Sequence, residues 1–397
     1  MEIFLFFFIS SVILVFTGRF FLQRVGVKLD KKEFSFSEQG FFGLIFLSFL
    51  SLVLNFFFKI DQTLATIVLL IPIIQLILDF QNLNKFFIKN FLMHSLLIAL
   101  LCALFISFDN VYRPDAGIYH LPYIKILNDF KIFSGVVTLN PVFGTTSILQ
   151  YTSAIFNNFI FKEIGITIPL AILTIYLIEY FVAQFLKKNK SSFYLLYLFL
   201  ILAYIFLEMN RYSEYGNDNP AHLSLFYLLS LIIKKDFKID LSINFKIITL
   251  VSLFTFLNKV FFILVLFLPI AIWIKKKLYL DKKFLPIFSL FFFSIWIIKN
   301  IFISGCAIYP VSISCNNNLS WYSDKPKFIV AANNLSQFSE LHAKMWSEIV
   351  DDNKFVNYQE NKNEKDFFLK NFNWLFSDKK AKNPKNRYFK IFNNYIF

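Results

Sequence analysis

Residues 91–120 read FLMHSLLIALLCALFISFDNVYRPDAGIYH, an apolar run that ends in polar and charged residues. The apolar part, 91–108, is long enough to cross a bilayer as a helix. The part that follows, 109–120, contains two aspartates, one arginine and one histidine. Ionisable side chains at the end of a membrane span are costly, and they usually serve a function. This stretch therefore predicts a membrane protein and the position of its functional site.

Comparable apolar runs recur along the chain of 397 residues, of which 57% are hydrophobic and only 17% are charged. Because these runs approach the length of a bilayer crossing, we predict an all-α polytopic membrane protein with about ten transmembrane helices. The ten predicted spans are residues 3–18, 40–58, 63–80, 91–108, 163–186, 192–208, 220–233, 243–257, 260–274 and 284–299.

The net charge of +14 comes from basic residues that gather between the predicted spans. Five groups fall on one side of a ten-span arrangement, at residues 19–32, 85–89, 187–190, 234–238 and 275–283. Basic loops face the cytoplasm, so the loop after residue 108, the loop around 209–220 and the tail after 300 are predicted to lie outside. The charge thus indicates contact with membrane lipids, and we predict no nucleic-acid partner.

The first outer loop, about 109–162, is predicted to contain helices that lie along the membrane surface. From Leu121 to Leu127 an apolar residue recurs at every third position, while Asn128 and its charged neighbours face elsewhere. Residues 148–161 are also apolar, but a crossing there would invert every later segment and place the basic groups outside. We therefore interpret this segment as interfacial or re-entrant.

A second polar segment, NRYSEYGNDNPAH at 210–222, lies in the predicted outer loop between two spans. Asn258 and Lys259 interrupt a later apolar stretch, and Lys299 stands at the end of the last predicted span. All these points emerge on the same predicted face as 109–120. Besides Asp109 and Asp115, the polar candidates on that face are Arg113, Tyr119, His120, Arg211, Glu214, Asp218, His222, Lys259 and Lys299.

The cysteines and histidines give no sign of a metal centre. Cys306 and Cys315 fall in the predicted outer, oxidising compartment, where they either form a disulfide or remain two free thiols in a loop. Three cysteines and four scattered histidines supply neither a cysteine-rich zinc site nor an HExxH pattern. We predict no metal and no cofactor.

Carboxylates, arginines, lysines and histidines on one membrane face suit the transfer of a sugar from a lipid-phosphate donor. That reaction needs a carboxylate to accept the proton of the acceptor hydroxyl, and it needs cations to stabilise the departing phosphate. Because such a donor is anchored in the bilayer, an active site at the ends of membrane helices is physically reasonable.

Four motifs point to a known family: RPDAGIYHLPYI at 113–124, PVFGTTSILQY at 141–151, RYSEYGNDNPAH at 211–222 and IKNIFISGCAIYPV at 298–311. With these motifs the chain resembles the GT-C-type polytopic membrane glycosyltransferases, particularly bacterial members distantly similar to the dolichyl- or undecaprenyl-phosphate sugar transferases. The last motif is similar to an "RN, then SGNPxYP" element of that superfamily. The resemblance covers most of residues 90–315.

The resemblance implies a GT-C fold whose first outer loop carries an essential aspartate, and by motif position this residue is Asp115. It implies an inverting transfer of a sugar from a polyprenyl-phosphate donor to a lipid-linked glycan or envelope acceptor, on the extracytoplasmic face of the bacterial inner membrane. Asp115 would then act as the base, while Arg113, Arg211, Lys259 or Lys299 would stabilise the phosphate.

The chain departs from the family pattern after Asp115, where Ala116 and Gly117 stand in place of a second acidic residue. A divalent metal is therefore not supported by the motif. Residues 1–315 form the predicted transmembrane domain. Residues 316–397 are interpreted as a polar extracytoplasmic tail, either an incomplete small domain or a segment that does not fold alone.

The candidate residues have simpler structural alternatives. Asp115 can cap the surface helix or pair with Arg113, and the two acidic residues of 210–222 can pair with Arg211. Lys259 can extend to the interface without binding phosphate. His120 is interpreted as structural or substrate-orienting, since a carboxylate already fills the role of the base.

Two other functions remain open. A polysaccharide polymerase or ligase that uses lipid pyrophosphate donors also has large outer loops, although arginine is scarce in this chain. A polytopic transporter would place charges along a pathway inside the membrane and often contains internal repeats. The predicted ionisable residues instead gather on one face.

Overall fold

The computed structural model describes residues 2–26, 34–79, 85–107, 116–188, 190–207, 216, 218–234, 241–278, 286–316 and 318–322. Every regular element in these ranges is helical, as predicted. The α-helices are α1 (Glu2–Val25), α2 (Phe36–Phe57), α3 (Gln62–Asp79), α4 (Lys85–Ser107), α5 (Leu121–Asp129), α6 (Leu149–Phe156), α7 (Ile168–Leu186), α8 (Ser192–Leu207), α9 (Asp218–Ile233), α10 (Leu241–Asn258), α11 (Phe267–Lys275) and α12 (Ile287–Ser304).

Five helical stretches are long and apolar enough to cross a membrane, judged by length and composition. They are Glu2–Val25, Phe36–Phe57, Phe87–Ser107, Lys162–Leu186 and Ile287–Ser304. Shorter apolar helices cover Gln62–Ile74, Ser192–Leu207, Ile243–Asn258 and Val260–Lys275. The chain is thus an α-helical membrane protein, and the count of ten spans stays a prediction.

Glycines bring α1 and α2 into close contact. A Cβ atom added at Gly18 would overlap the carbonyl oxygen of Gln39, and one added at Gly43 would overlap the carbonyl oxygen of Leu14. Both obstacles are backbone atoms, which a change of rotamer cannot move aside. Small residues at a helix contact let two backbones approach, as is common between membrane helices.

Aromatic rings close α12 against two other helices. Phe49 of α2 and Phe292 of α12 stack with their ring centroids 4.3 Å apart. Trp296 of α12 meets Phe256 of α10 at 5.1 Å in an edge-to-face arrangement. Such pairs add to the stabilisation from burial. They fix the face of α12 that turns toward the bundle, and Lys299 lies one turn after Trp296 on that face.

Helix α5 forms where the apolar spacing predicted it, with a proline in its first turn. Tyr123, Ile124 and Leu127 are buried, whereas Lys125 and Asp129 pair at 3.0 Å on the exposed side. An amphipathic helix of this kind has one apolar face packed against its support.

The predicted orientation of Asn128 was wrong, because this side chain packs inward. Its Nδ2 donates hydrogen bonds to the carbonyl oxygens of Ile60 at 2.6 Å and Ala154 at 3.0 Å, and its Oδ1 accepts one from Asn157 at 2.9 Å. Carbonyl oxygens at the ends of neighbouring elements need donors when they are removed from water, and Asn128 supplies them.

Helix α6 lies within residues 148–161 and has only eight residues, so it rises about 12 Å and does not cross a bilayer. All eight of its residues are buried. It packs against α2, α3, α5 and α7. Protein surrounds it on every side, which fits a re-entrant segment rather than one that lies on the membrane surface.

The apolar stretch 247–274 is broken where the sequence predicted. Helix α10 ends at Asn258, and the chain turns back at Lys259 into a 3-10 helix, Val260–Leu266, that continues into α11. The returning segment packs along α10. Lys259 therefore occupies a turn between two antiparallel helical segments.

Candidate functional site

A small pocket lies where four separate parts of the chain meet, at residues 120–124, 147–153, 170 and 216. Its polar lining comes from His120 at the end of the π-helical turn Ala116–His120, from Ser147 and Gln150 at the start of α6, and from Ser153. Gly216 of the segment 210–222 completes it. The pocket is small, since the space between its lining atoms amounts to about 280 Å³ even when the open solvent at its mouth is included. The pocket thus brings the first two predicted polar segments together.

His120 is held firmly at the back of this pocket. Its side chain is buried, and its Nδ1 lies 2.8 Å from Nε2 of Gln150. The ring of the half-buried Tyr119 is 4.1 Å from the imidazole, measured between centroids. The ring of His120 therefore has a fixed position and a fixed hydrogen-bond partner.

Two buried tyrosines stand next in the chain to Ile124 and Gln150, which line the pocket. Tyr123 of α5 and Tyr151 of α6 join through their hydroxyl oxygens at 3.1 Å. Burial raises the pKa of Tyr123, and it raises the pKa of Tyr151 well above the ordinary value. Both residues are neutral at physiological pH, so they connect α5 to α6 without adding charge.

The end of α10 is joined to the start of α6. The hydroxyl of Ser147 donates to Oδ1 of Asn258 at 2.5 Å, and the backbone N–H of Ile148 donates to the carbonyl oxygen of Leu257 at 3.0 Å. The next residue, Lys259, forms an ion pair with Asp218 at the start of α9. The polar break in α10 therefore adjoins the pocket wall.

Aromatic rings surround His222 on α9. The imidazole lies 5.6 Å from the ring of Phe262, 6.4 Å from Phe226 and 6.3 Å from Tyr204. These partners come from α8, α9 and the 3-10 helix after Lys259. The predicted contact of His222 with a substrate stays a prediction.

Lys299 is buried in α12, with only 1% of its surface exposed. Within the described ranges its Nζ has neither an ion pair nor a hydrogen bond. The Nζ atom instead lies over the indole ring of Trp296, 5.2 Å from the ring centroid. The carbonyl Oδ1 of the next residue, Asn300, is buried without a hydrogen-bond partner among these residues. A buried cation without a counter-charge is costly, so this point of the bundle favours an anion.

A disulfide between Cys306 and Cys315 closes a short hairpin after α12. The hairpin packs against the loop before α6, since a Cβ atom at Gly144 would overlap the ring of Tyr309. Burial raises the pKa of Tyr309 to about 12. The PVFGTT and AIYPV motifs are thus in contact, although 160 or so residues separate them in the chain.

Thiol counting tests this disulfide. The denatured, unreduced protein is expected to take up one alkylating group, at Cys102, because the structure leaves this cysteine free. After reduction we expect three groups, measured by intact mass, since the chain has three cysteines. Cys102→Ser serves as the control and should take up none before reduction. Three groups without reduction would contradict the bond.

Residues 1–376 match a family described as a domain of unknown function, DUF8201. The chain belongs to this family. Comparison with the curated proteins gives no match, and neither does comparison with the solved structures. The pocket, Lys299 and the disulfide all lie inside the part of the chain that the DUF8201 match covers.

Several predicted site residues of this DUF8201 protein lie outside the described residues. They are Asp109, Arg113, Asp115, Arg211, Glu214 and the tail from 323 onward. Among the residues that are described, no group of three or more His, Cys, Asp or Glu side chains could hold a metal ion. Because Asp115 is not among them, the expectation of a metal-free site stays a prediction.

A polar cluster that the sequence motifs do not predict lies inside the bundle. Nε2 of His94 in α4 lies 2.8 Å from Oε2 of Glu179 in α7 and 3.0 Å from Oγ of Ser37 in α2, and Ser37 also donates to Glu179. Glu179 is seven residues from the end of α7, about 10 Å along the helix axis.

A buried carboxylate, that of Glu38, adjoins this cluster of Ser37, His94 and the half-buried Glu179. Glu38 follows Ser37 in α2 and accepts hydrogen bonds from the hydroxyl of Tyr227 at 2.9 Å and from the backbone N–H of Ser35 at 2.9 Å. The available signal was an ionisable residue inside or beside a predicted apolar span, as at His94 and Glu179. The candidates predicted from the sequence all stand at the ends of the spans and therefore do not include this cluster.

Proposed function

We propose that this chain is a GT-C-type glycosyltransferase of the bacterial inner membrane. It transfers a sugar from a polyprenyl-phosphate donor to a lipid-linked glycan or another envelope acceptor, on the extracytoplasmic face and with inversion of the anomeric carbon. The residues that we assign to the reaction are Asp115 as base and Arg113, Arg211, Lys259 and Lys299 as phosphate partners.

The observation that carries this proposal is the pocket that joins His120 to Gly216. These residues belong to the motifs RPDAGIYH and RYSEYGNDNPAH, which are about 90 residues apart in the chain. Their meeting supports a single site built from both loops. His120 also lies five residues after Asp115, so the proposed base is close to the pocket along the chain.

The length of one broken segment supports our proposal of ten spans. The segment Val260–Lys275 has a seven-residue 3-10 helix followed by nine α-helical residues. With about 2.0 Å per 3-10 residue and 1.5 Å per α residue, it reaches about 27 Å, close to the hydrocarbon thickness. With ten spans, the basic groups fall on the cytoplasmic side and the pocket falls on the opposite side.

In the proposed reaction the carboxylate of Asp115 accepts the proton of the acceptor hydroxyl. The hydroxyl oxygen forms a bond to the anomeric carbon of the donor sugar, while the bond from that carbon to the phosphate oxygen breaks. The polyprenyl phosphate leaves with the electron pair, and cations stabilise its developing charge. Lys299 supports this role, because its ammonium has no anionic partner in the part of the chain that the structure describes and the phosphate would supply its counter-charge.

Asp115→Asn is expected to lower sugar transfer at least about 100-fold, because an amide cannot accept the proton of the acceptor. The measurement uses purified protein in liposomes, a panel of radiolabelled undecaprenyl-phosphate sugars and extracted envelope lipids as acceptors. Asp129→Asn is the matched control, since Asp129 lies on the exposed side of α5 in a pair with Lys125. Equal activity of Asp115→Asn and the parent would sink the assignment.

A transporter is the second candidate, and the cluster of Ser37, His94 and Glu179 favours it. Carboxylates within membrane helices often mark the path of an ion or a substrate. The same transfer assay separates the two functions. A transferase requires Asp115 and tolerates Glu179→Gln, whereas a transporter shows no label transfer with any donor of the panel.

A further inference from the structure

A series of hydrogen bonds links the end of α10 to His120 through Asn258, Ser147 and Gln150. Some of the groups in this series can only donate and others can only accept, so they determine which atom is the donor in each bond. Its four members are buried. Buried polar groups are nearly always paired, so the orientation of each amide follows from its obligatory partner.

The orientation of the Asn258 side-chain amide follows from its contact with the backbone. Its Nδ2 lies 2.8 Å from the backbone carbonyl oxygen of Phe254, which can only accept. The amide nitrogen is therefore on that side, and Oδ1 faces the hydroxyl of Ser147 at 2.5 Å. The hydroxyl must donate to Oδ1, and its oxygen is then available to accept the backbone N–H of Leu149 at 3.1 Å.

The orientation of the Gln150 side-chain amide follows from its contact with the backbone of Ser147. The backbone N–H of Ser147 can only donate, and it lies 3.0 Å from Oε1 of Gln150. This contact identifies the oxygen of the side-chain amide. The other end, Nε2, consequently faces Nδ1 of His120 at 2.8 Å.

The orientation of Gln150 determines which ring nitrogen of His120 carries the proton. An amide nitrogen donates and does not accept, so Nδ1 of His120 must accept the hydrogen bond from Gln150. An imidazole that accepts at Nδ1 carries its one proton on Nε2 and is neutral. In histidines, the hydrogen bond at one ring nitrogen commonly determines whether the other ring nitrogen carries the proton.

We infer that Gln150 is a positioning residue that holds His120 as the neutral Nε2–H tautomer, so that His120 acts as a hydrogen-bond donor and not as a base. In the proposed reaction, the oxygen acceptor that this N–H can serve is a phosphate oxygen or a sugar hydroxyl of the substrate. This identification of the ligand rests on the proposed function, whereas the tautomer follows from the hydrogen bonds alone. The pocket supports the role, because His120 shares its lining with Ser147 and Ser153.

The tautomer can be measured without any substrate. Protein labelled with ¹⁵N-histidine in lipid nanodiscs contains four histidines, and the signals lost in His120→Gln identify His120. At neutral pH we expect a protonated-type shift for Nε2 and an unprotonated-type shift for Nδ1. A protonated-type shift at Nδ1 of the parent protein would overturn the inference, whatever the transfer assay shows.

Gln150→Glu replaces the amide donor that faces Nδ1 of His120 with a carboxylate acceptor. Its carboxylate accepts from the N–H of Ser147 and also requires a proton on Nδ1, so we expect the Nδ1 shift of His120 to become protonated in type. Gln62→Glu is the matched control, since Gln62 is exposed at the start of α3. If Gln150→Glu does not fold, Gln150→Met removes the donor, and we then expect mixed tautomers. An unchanged His120 spectrum in the folded variant contradicts the inference.

Activity separates a donor from a base. Glutamine at position 120 keeps an N–H donor but cannot accept a proton, whereas leucine lacks both. We expect His120→Gln to retain transfer within about tenfold of the parent and His120→Leu to lose about 100-fold, a loss typical of removing one donor from a transition-state site. Equal large losses in both variants would contradict the donor role. If no transfer is found for the parent, the proposed function fails while the tautomer measurement still decides the inference.

Discussion

Replacing Gly43 with alanine is expected to destabilise the protein by about 3 kcal/mol, the upper end of the usual cost of overpacking. The added Cβ would overlap the carbonyl oxygen of Leu14, a backbone atom of α1. Only separation of α1 from α2 can relieve this overlap, and separation loses contacts along both helices. We expect a lower midpoint of thermal unfolding in detergent and a lower yield of folded protein.

Gly117→Ala is the control for this substitution, because a Cβ atom at Gly117 meets no atom within 4 Å. It is expected to leave the unfolding midpoint nearly unchanged. If Gly43→Ala has the same midpoint as Gly117→Ala, the two helices do not approach as closely as the structure describes.

Replacing Lys299 with methionine is expected to stabilise the protein and to remove the proposed sugar transfer. The ammonium is buried, and no anion faces it within the described ranges, so an apolar side chain of similar length relieves a desolvation cost. Even paired buried charges can be replaced by apolar residues of similar volume with a gain in stability of about 1–4 kcal/mol, and a charge without a counter-ion costs more to bury. Sugar transfer should fall at least about 100-fold if Lys299 contacts the departing phosphate.

Thermal unfolding without substrate and the transfer assay measure these two effects separately. Lys125→Met is the control, since Lys125 is exposed and its pair with Asp129 contributes little. Destabilisation by Lys299→Met would mean that the lysine makes a favourable contact in the free protein. Unchanged transfer would remove Lys299 from the site.

The local sequence pattern was sufficient to predict structural features that depend only on residues close together in the chain. The spacing from Leu121 to Leu127 predicted α5, because helical periodicity is a property of a few consecutive residues. The polar pair Asn258 and Lys259 predicted the break after α10 in the same way, since two polar residues interrupt an apolar run.

Partners that are distant in sequence were not predictable from pattern. Gln150 and His120 are 30 residues apart, and Ser37 and Glu179 are 142 apart, so only the packing of whole helices determines which side chains meet. Asn128 shows the same limit within one helix. Its polarity suggested exposure, but carbonyl oxygens from two other elements determine its direction.

The complete burial of α6 has a consequence for biogenesis. This helix touches no lipid, so partition into the bilayer cannot drive its insertion as it does for a span. Its place exists only when α2, α3, α5 and α7 surround it, and α7 is the last of these to leave the ribosome. A chain released before Leu186 lacks one wall around α6, and the pocket that α6 lines cannot form. The site therefore matures only after α7, the membrane helix that follows α6 in the chain, has been inserted.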